Sequence, residues 1–249
     1  GHEMKSVPNF LNRLRDGRGV AAGTLAGLLV RCAGVATTLV AMPIALHTLG
    51  ELRFGTFLLL FGVVNWISLG SFGIQNAFGR AVASKSIRSD DVPDMLGAAL
   101  VYAAATTCLT ATVVAGAFLI WRSFIGTNLD VSMEEVTTSA ALMILLSILQ
   151  IVLQAFEGMR IGNLQTYAIS LTNLAGSVFS FVCLTTLPSI WPHMAVFVIA
   201  LNGGLLFAAA LNALLVMRKV RPRFSHLKRD LDSLRRLARS GIAYLIMGV

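Results

Sequence analysis

The sequence has 249 residues, of which 56% are hydrophobic and only 13% are charged, and its formal net charge is +8. A soluble domain carries roughly a quarter charged residues, so this composition excludes an ordinary soluble protein and indicates an all-α polytopic membrane protein. The basic residues lie between apolar segments and form no soluble basic surface, so the positive charge does not indicate a nucleic-acid partner.

Six apolar segments are near or above the length of about 18 residues that a membrane-spanning helix needs. We predict helices at residues 20–47, 54–78, 95–121, 136–157, 162–187 and 194–217, which form a six-helix transmembrane bundle over 20–217. The remaining segments are an N-terminal segment (1–19), a basic connector (218–237) and the beginning of a seventh helix (238–249). Because 238–249 is too short to cross a bilayer, we expect the chain to be part of a longer protein.

The distribution of lysine and arginine predicts the orientation in the membrane. Seventeen of the 20 lie before the first span, in the loops after the second and fourth spans, or between Arg218 and Arg239. Only Arg53 and Arg122 lie on the opposite side, and Arg31 lies within the first span. Short cytoplasmic loops retain basic residues, so we expect the N-terminus and the connector to be cytoplasmic.

The connector has an amphipathic pattern. Leu227, Leu231, Leu234 and Leu237 share one helical face, and the opposite face is basic. This pattern favours a helix that lies on anionic membrane lipids, and a solvated linker is the alternative.

Arg31 stands near the middle of the first span, at a depth of ~16 Å. Burying a cation there is costly, so we expect it to face the interior of the bundle, with Thr38 on the same helical face, and to contact a substrate or an ion. The alternative is a structural cation that binds helix-end carbonyls or a carboxylate, although no Asp or Glu is predicted well inside a span. Pro43 is expected to bend the same helix.

The second span carries a polar stripe that descends towards the basic side. Its members, at spacings of three or four residues, are Asn65, Ser68, Phe72, Asn76 and Arg80. We expect Asn65 and Asn76 to contact a substrate, and Arg80 to lie at the mouth of a cavity. Gly70, Gly73 and Gly79 would allow a neighbouring backbone or a ligand to approach. Contact between helices is the alternative explanation for such a stripe.

The fourth and fifth spans carry two further patterns. Glu157 and Arg160, three residues apart, are predicted to pair as a structural hinge at the cytoplasmic boundary. The fifth span presents one small, hydroxylated face that includes Asn173 near mid-membrane. Such a face either packs against another helix or lines a cavity that accepts sugar hydroxyls.

Several kinds of chemistry lack their motifs. The sequence contains no phosphate-binding loop, no metal-ligand cluster and no nucleophile with a base at helical spacing, so we predict no cofactor, no metal and no enzyme activity. Cys32, Cys108 and Cys183 all lie in apolar segments and are predicted to be small apolar fillers.

The N-terminal part of the chain resembles the polysaccharide flippases of the O-antigen type, in the multidrug/oligosaccharidyl-lipid/polysaccharide exporter superfamily. The matching features are Arg31, Pro43, Leu49-Gly50, Phe54-Gly55, Trp66, Gly70, Gly73, Arg80 and the segment QAFEGMRIGNLQTYAIS (154–170). They span most of residues 20–182.

The resemblance implies a six-helix N-terminal lobe of a two-lobed bundle of roughly 12 to 14 helices. Its cargo would be an undecaprenyl-pyrophosphate-linked oligosaccharide, moved to the outer leaflet of the bacterial inner membrane by alternating access for surface polysaccharide synthesis. Arg31 would bind the pyrophosphate or an acidic sugar, and Arg80 would guide the headgroup. A polysaccharide polymerase is a possible partner.

Other functions stay open. Within the superfamily, the alternatives are a lipid II-type flippase and a multidrug exporter, the latter disfavoured because membrane carboxylates are not predicted. Outside it, the alternatives are a membrane-embedded polymerase or ligase, disfavoured by the short outer loops, and a non-transporting scaffold of polysaccharide assembly.

Overall fold

The computed structural model describes residues 10–67, 73–84, 89–125, 131–163 and 165–224. Within these ranges the chain forms helices and short turns and contains no β-strand. The helices are α1 (Phe10–Asn65), α2 (Ile74–Ala83), α3 (Val92–Ile125), α4 (Met133–Gly162), α5 (Thr166–Thr186) and α6 (Met194–Met217), with short 3-10 turns at Ser89–Asp91 and Leu187–Ser189. The predicted all-α fold is therefore confirmed.

Helix α1 consists of two arms that fold back on each other at Gly50. This glycine has φ 75° and ψ 168°, a conformation that interrupts the helix and that residues with a Cβ rarely adopt. Side chains from both arms line one small cavity of about 100 Å³, in which residues 38–45 face residues 54–61. The chain therefore reverses where the sequence predicts the turn between the first two spans. The backbone around Pro43 keeps helical angles, so the break lies at Gly50 and not at the proline.

The predicted second span is not one continuous helix. Helix α1 ends at Asn65, and Gly73 takes a left-handed conformation with φ 65° immediately before α2 begins. The prediction of a single helix over 54–78 is therefore wrong, because a left-handed residue cannot continue a right-handed helix. The polar stripe from Asn65 to Arg80 was predicted from spacing along one continuous helix, so these residues do not share a single helical face. Gly70 lies outside the described residues.

Five helices are long and apolar enough to cross a membrane within the described ranges, with the α1 hairpin counted once. The bounds of α3 to α6 match the predicted spans within a few residues, and those of α6 coincide with them. Many leucine, valine and phenylalanine side chains cover the outside of the bundle, as expected for surfaces in contact with lipid. The chain is thus an all-α, multi-pass membrane protein. Residues 225–249, with most of the connector and the seventh helix, lie outside the described part.

Two apolar clusters hold the helices together, one towards each end of the bundle. We call the end of the bundle at which Arg80, Arg160 and Arg218 lie the basic end. The cluster there joins Phe78 on α2, Leu96 on α3, Phe156 on α4 and Ala213 on α6. The opposite cluster joins the α1 hairpin to the beginnings of α4 and α6 and the end of α5. After α6 the chain returns to the start of α3, since the Arg223 amide donates to the Pro93 carbonyl oxygen (2.9 Å).

Candidate functional site

A cavity of about 370 Å³ lies among the α1 hairpin, α4, α5 and α6. Its polar lining consists of Thr37, Thr38, Gln150, Gln154, Glu157, Asn173, Ser177, Ser180 and Asn202. This volume falls within the range of about 300–1,000 Å³ that is typical of ligand sites. A polar cavity inside an otherwise apolar bundle is the strongest candidate for a functional site in the described residues.

Four amide side chains line this space. Gln150, Gln154, Asn173 and Asn202 line the cavity, and none of their side chains forms a hydrogen bond with any residue that the structure describes. None of these four amides is among the buried unpaired groups of the described residues, so they are accessible from the cavity and can pair with water or with a bound molecule. Each amide offers two donors and an acceptor to a bound molecule.

The hydroxyl groups of the cavity have a complementary character. Thr37 and Thr38 donate to the carbonyl oxygens of Ala33 (2.8 Å) and Gly34 (3.0 Å), and Ser177 donates to that of Asn173 (3.1 Å). Their protons are used within their own helices, so the hydroxyl oxygens present lone pairs. The cavity therefore offers acceptors from hydroxyls and both donors and acceptors from amides.

Close contact between α5 and α6 sets the direction of the polar face of α5. Gly176 lies against the carbonyl oxygen of Gly204, and Ser180 packs directly on Gly204. Without side chains at these glycines, the two helices approach closely, and Asn173 and Ser177 turn towards the cavity. The two explanations of the hydroxylated face thus apply together: it packs against a neighbouring helix and it lines a cavity.

A charged network forms the basic-end side of the cavity. Gln75 Nε2 on α2 donates to Glu157 Oε2 (3.0 Å), and Asn212 Nδ2 on α6 donates to Glu157 Oε1 (3.2 Å). Arg160 Nη1 donates to Asn212 Oδ1 (2.6 Å). Three helices are therefore joined through the side chains of four residues.

The predicted direct pair between Glu157 and Arg160 is replaced by a bridge through Asn212. Glu157 faces the cavity, whereas Arg160 is buried, with 8% of its surface exposed, and reaches towards α6. The amide of Asn212 accepts from one partner and donates to the other, which satisfies both without direct contact. The Arg160 Nε atom is buried and has no hydrogen-bond partner among the described residues.

Glu157, predicted as the last residue of the fourth span, lies within α4, because this helix continues to Gly162. It precedes the end of α4 by five residues, or ~8 Å, and it lines the cavity. Among the described residues that line this cavity, Glu157 is the only charged one. The charged group that the cavity lining itself contains is therefore a carboxylate and not a guanidinium.

The predicted site residues separate into two groups. Thr38 and Asn173 line the cavity, and their predicted contact with a substrate stays a prediction. Arg31 is exposed and does not line it, although its neighbours Val30 and Gly34 do. Asn76 and Arg80 are exposed on α2 and contribute nothing to the lining. The side chain of Asn65 lies outside the described part, so its predicted contact stays untested.

Three residues of the site were missed by sequence reasoning: Gln75, Asn202 and Asn212. A signal existed for two of them, since α6 has a mean hydropathy of 2.2 and an amide in so apolar a helix is costly to bury. Gln150 and Gln154 share a helical face with Glu157, at spacings of four and three residues, and all three line the cavity. Gln75 had no signal, because its partner is distant in sequence.

A second ionic cluster lies at the far end of the bundle. Glu135 on α4 accepts from the Met194 amide (2.9 Å) and lies 3.6 Å from Arg53 Nε and 3.6 Å from His193 Nδ1. In the described residues no group of three or more His, Cys, Asp or Glu side chains is arranged to hold a metal ion. The far-end cluster ties the α1 hairpin, α4 and the start of α6 together.

Comparison with known proteins yields no match to a protein-family model, to a curated protein or to a solved structure.

Proposed function

We propose that this chain is a lobe of a transporter that moves an undecaprenyl-pyrophosphate-linked oligosaccharide across the bacterial inner membrane by alternating access, for surface polysaccharide synthesis. The observation that carries the proposal is the polar cavity, with four unpaired amides, inside a membrane-embedded bundle. The resemblance of the sequence to polysaccharide flippases supports the same cargo.

The lining suits sugars. A sugar hydroxyl both donates and accepts hydrogen bonds, and Gln154, Asn173 and Asn202 can do the same. The hydroxyl oxygens of Thr38 and Ser177 supply further acceptors. A purely apolar cargo would leave these groups unpaired and would therefore bind poorly.

Arg31 is proposed to meet the pyrophosphate at the edge of the cavity. It is exposed beside the cavity-lining residues Val30 and Gly34 of the same helix. A guanidinium group suits this role because its donors form a fork that matches phosphate oxygens. With the basic end in the cytoplasm, as the positive charge there favours, the cargo would enter from the cytoplasmic leaflet. The basic connector would contact anionic lipids.

Binding measurements on matched variants test the proposal. The purified chain in lipid nanodiscs would be titrated with a lipid-linked oligosaccharide by calorimetry, comparing wild type with Gln154→Ala. We expect the variant to bind at least about tenfold more weakly, because losing a hydrogen-bonding group to the cargo costs ~1.4 kcal/mol or more. Gln165→Ala is the control, since Gln165 is exposed outside the cavity.

Equal binding by wild type and Gln154→Ala, or no binding by wild type, would contradict the proposed cargo site. Transport is measured separately in cells that lack their own flippase, with the gene in its full length. We expect export of surface polysaccharide to fall in Gln154→Ala and the lipid-linked intermediate to remain on the cytoplasmic face. Export at the wild-type level would overturn the transport role.

One observation favours a second candidate, an exporter of organic cations. The sequence disfavours such an exporter because no carboxylate is predicted well inside the spans to bind a cation. Glu157 supplies a carboxylate in the cavity, and it is the only charged residue among the described ones that line it. The nanodisc titration separates the two functions when it is repeated with the tetraphenylphosphonium cation. Binding of this cation that is lost in Glu157→Gln would favour the exporter.

A further inference from the structure

Two uncharged amides donate hydrogen bonds to the carboxylate of Glu157. Among the described residues, the charged side chain nearest to it in this network is Arg160, which is linked to it through Asn212. Gln75 comes from α2 and Asn212 from α6, and Arg160 reaches it through Asn212. The described residues of α1 and α5 that line the cavity are all uncharged. Tyr102 of α3 belongs to the basic-end apolar cluster, and Arg80 lies on the exposed side of α2.

We propose that Glu157 is a proton-binding site on the cavity wall and that its proton sets the charge of that wall. With Glu157 ionised, its charge and that of Arg160 cancel. When a proton binds to one carboxylate oxygen, Arg160 keeps its charge and the wall becomes net positive. A proton on Oε2 lets the Gln75 amide rotate by half a turn and accept the new O–H with its own oxygen, whereas Asn212 keeps its orientation because its oxygen accepts from Arg160.

A proton fits this position better than a metal ion does. Each carboxylate oxygen already accepts a hydrogen bond, from Gln75 at 3.0 Å and from Asn212 at 3.2 Å. A metal ion needs several oxygen ligands at once, so Asn212 would also have to turn its oxygen towards the ion and would lose its bond with Arg160, whereas a proton needs a single lone pair.

The charge of Arg160 is the reason that a proton on Glu157 changes the net charge next to the cavity. It is buried, and its Nε has no hydrogen-bond partner among the described residues. In a poorly hydrated interior its uncompensated charge acts strongly across the adjacent cavity. A protonated Glu157 therefore favours an anionic cargo, and an ionised Glu157 disfavours one. This coupling to cargo rests on the proposed transport function, whereas the proton site itself does not.

Infrared difference spectroscopy tests the proton site directly. The full chain in nanodiscs, without cargo, is acidified stepwise over the pH range in which circular dichroism shows unchanged helicity. We expect a carbonyl band of a protonated carboxyl group in wild type that is lost in Glu157→Gln. Glu134→Gln is the matched control, since Glu134 is exposed on the same helix, and it should keep the band. A Glu157→Gln spectrum identical to wild type overturns the proposal.

A second variant keeps the test decisive if Glu157→Gln does not fold. Gln75→Leu removes one donor from the carboxyl group, so the frequency of the same band is expected to shift, and an unshifted band overturns the assignment.

A comparison of sodium chloride with choline chloride at fixed pH distinguishes a proton from a metal cation at this site. Loss of the band with sodium alone would assign the site to a metal cation and overturn the proton. Failure of the chain to bind lipid-linked oligosaccharide would leave the band unchanged, so the two proposals fail separately.

Discussion

Gly158 lies directly against the backbone of Gln75: a Cβ atom on Gly158 would stand 2.6 Å from the Gln75 carbonyl oxygen. This contact brings α2 onto α4 at the position next to Glu157. The side chain of Gln75 can therefore reach the carboxylate at 3.0 Å. The absence of a side chain at residue 158 is thus a condition for the charged network.

Replacing Gly158 by alanine is expected to push α2 away from α4. Overpacking of this kind costs about 1–3 kcal/mol, because the neighbouring Gln75 atoms are backbone and cannot rotate aside. Unfolding in mixed micelles of increasing dodecyl sulfate content measures the loss. Gly116→Ala on α3 is the control: nothing lies within 4 Å of its added methyl group. A Gly158→Ala variant as stable as Gly116→Ala would contradict the close packing.

Asn212 is expected to be essential for the stability of the network. Asn212→Leu removes the acceptor of Arg160 and a donor to Glu157, and leaves a buried guanidinium unpaired. Stranding a buried polar partner costs about 1–3 kcal/mol, and more for a charged one. Asn76→Leu, at an exposed amide on α2, should change stability little.

A double-mutant cycle isolates the bridge. If Asn212 acts through Arg160, then Arg160→Met combined with Asn212→Leu should cost less than the sum of the single changes, because the unpaired charge is gone. Additive losses would show that the two residues stabilise the bundle independently. The same dodecyl sulfate titration supplies all four free energies of unfolding.

Sequence patterns gave the helices but not their partners. The bounds of α6 were predictable because an uninterrupted apolar segment ends at Arg218, and the turn near Gly50 was predictable from the polar residues around it. The network could not be found this way: Gln75 and Glu157 are 82 positions apart, and Asn212 and Glu157 are 55 apart. Periodicity shows which residues share a face but not which face meets another helix.

The same limit explains the failure on the second span. A regular spacing from Asn65 to Arg80 implies a shared face only if the helix is continuous. Glycine tolerates the left-handed conformation found at Gly73, so the sequence is compatible with either a helix or a break there. The structure selects the break, and Asn76 then faces outward while Gln75 faces Glu157.

Substitution of Asn173 and of Asn76 tests whether the cargo binds in the cavity or along the polar stripe predicted for the second span. Asn173 lines the cavity with a free amide, whereas Asn76 is exposed on α2. We expect Asn173→Ala to weaken binding of the lipid-linked oligosaccharide about tenfold, and Asn76→Ala to leave it unchanged. Calorimetry in nanodiscs measures both. A larger loss of binding in Asn76→Ala than in Asn173→Ala would indicate that the cargo binds at the second span and not in the cavity.

Arg31 is expected to affect the charged part of the cargo and not its sugars. Arg31→Ala should weaken binding of the pyrophosphate-bearing lipid-linked oligosaccharide, and Arg31→Lys should restore part of it, because lysine keeps the charge but loses the planar fork. The free oligosaccharide without pyrophosphate should bind both variants as it binds wild type. Arg53→Ala, at the far end of the bundle, is the matched cation control. Equal losses for both ligands would indicate a structural role for Arg31.

Glu135 is expected to act as a cap supplied to α6 by another helix. Residue His193, which precedes α6, makes no capping bond with its side chain, and the Met194 amide donates instead to Glu135, whose side chain is only 10% exposed. Removing a capping acceptor costs about 1 kcal/mol, and the loss of the Arg53 contact adds to it. Glu135→Ala should therefore lower the free energy of unfolding in the dodecyl sulfate titration by about 1–2 kcal/mol. Glu134→Ala, next to it but exposed, should have little effect, and equal losses in the two variants would mean that Glu135 does not cap α6.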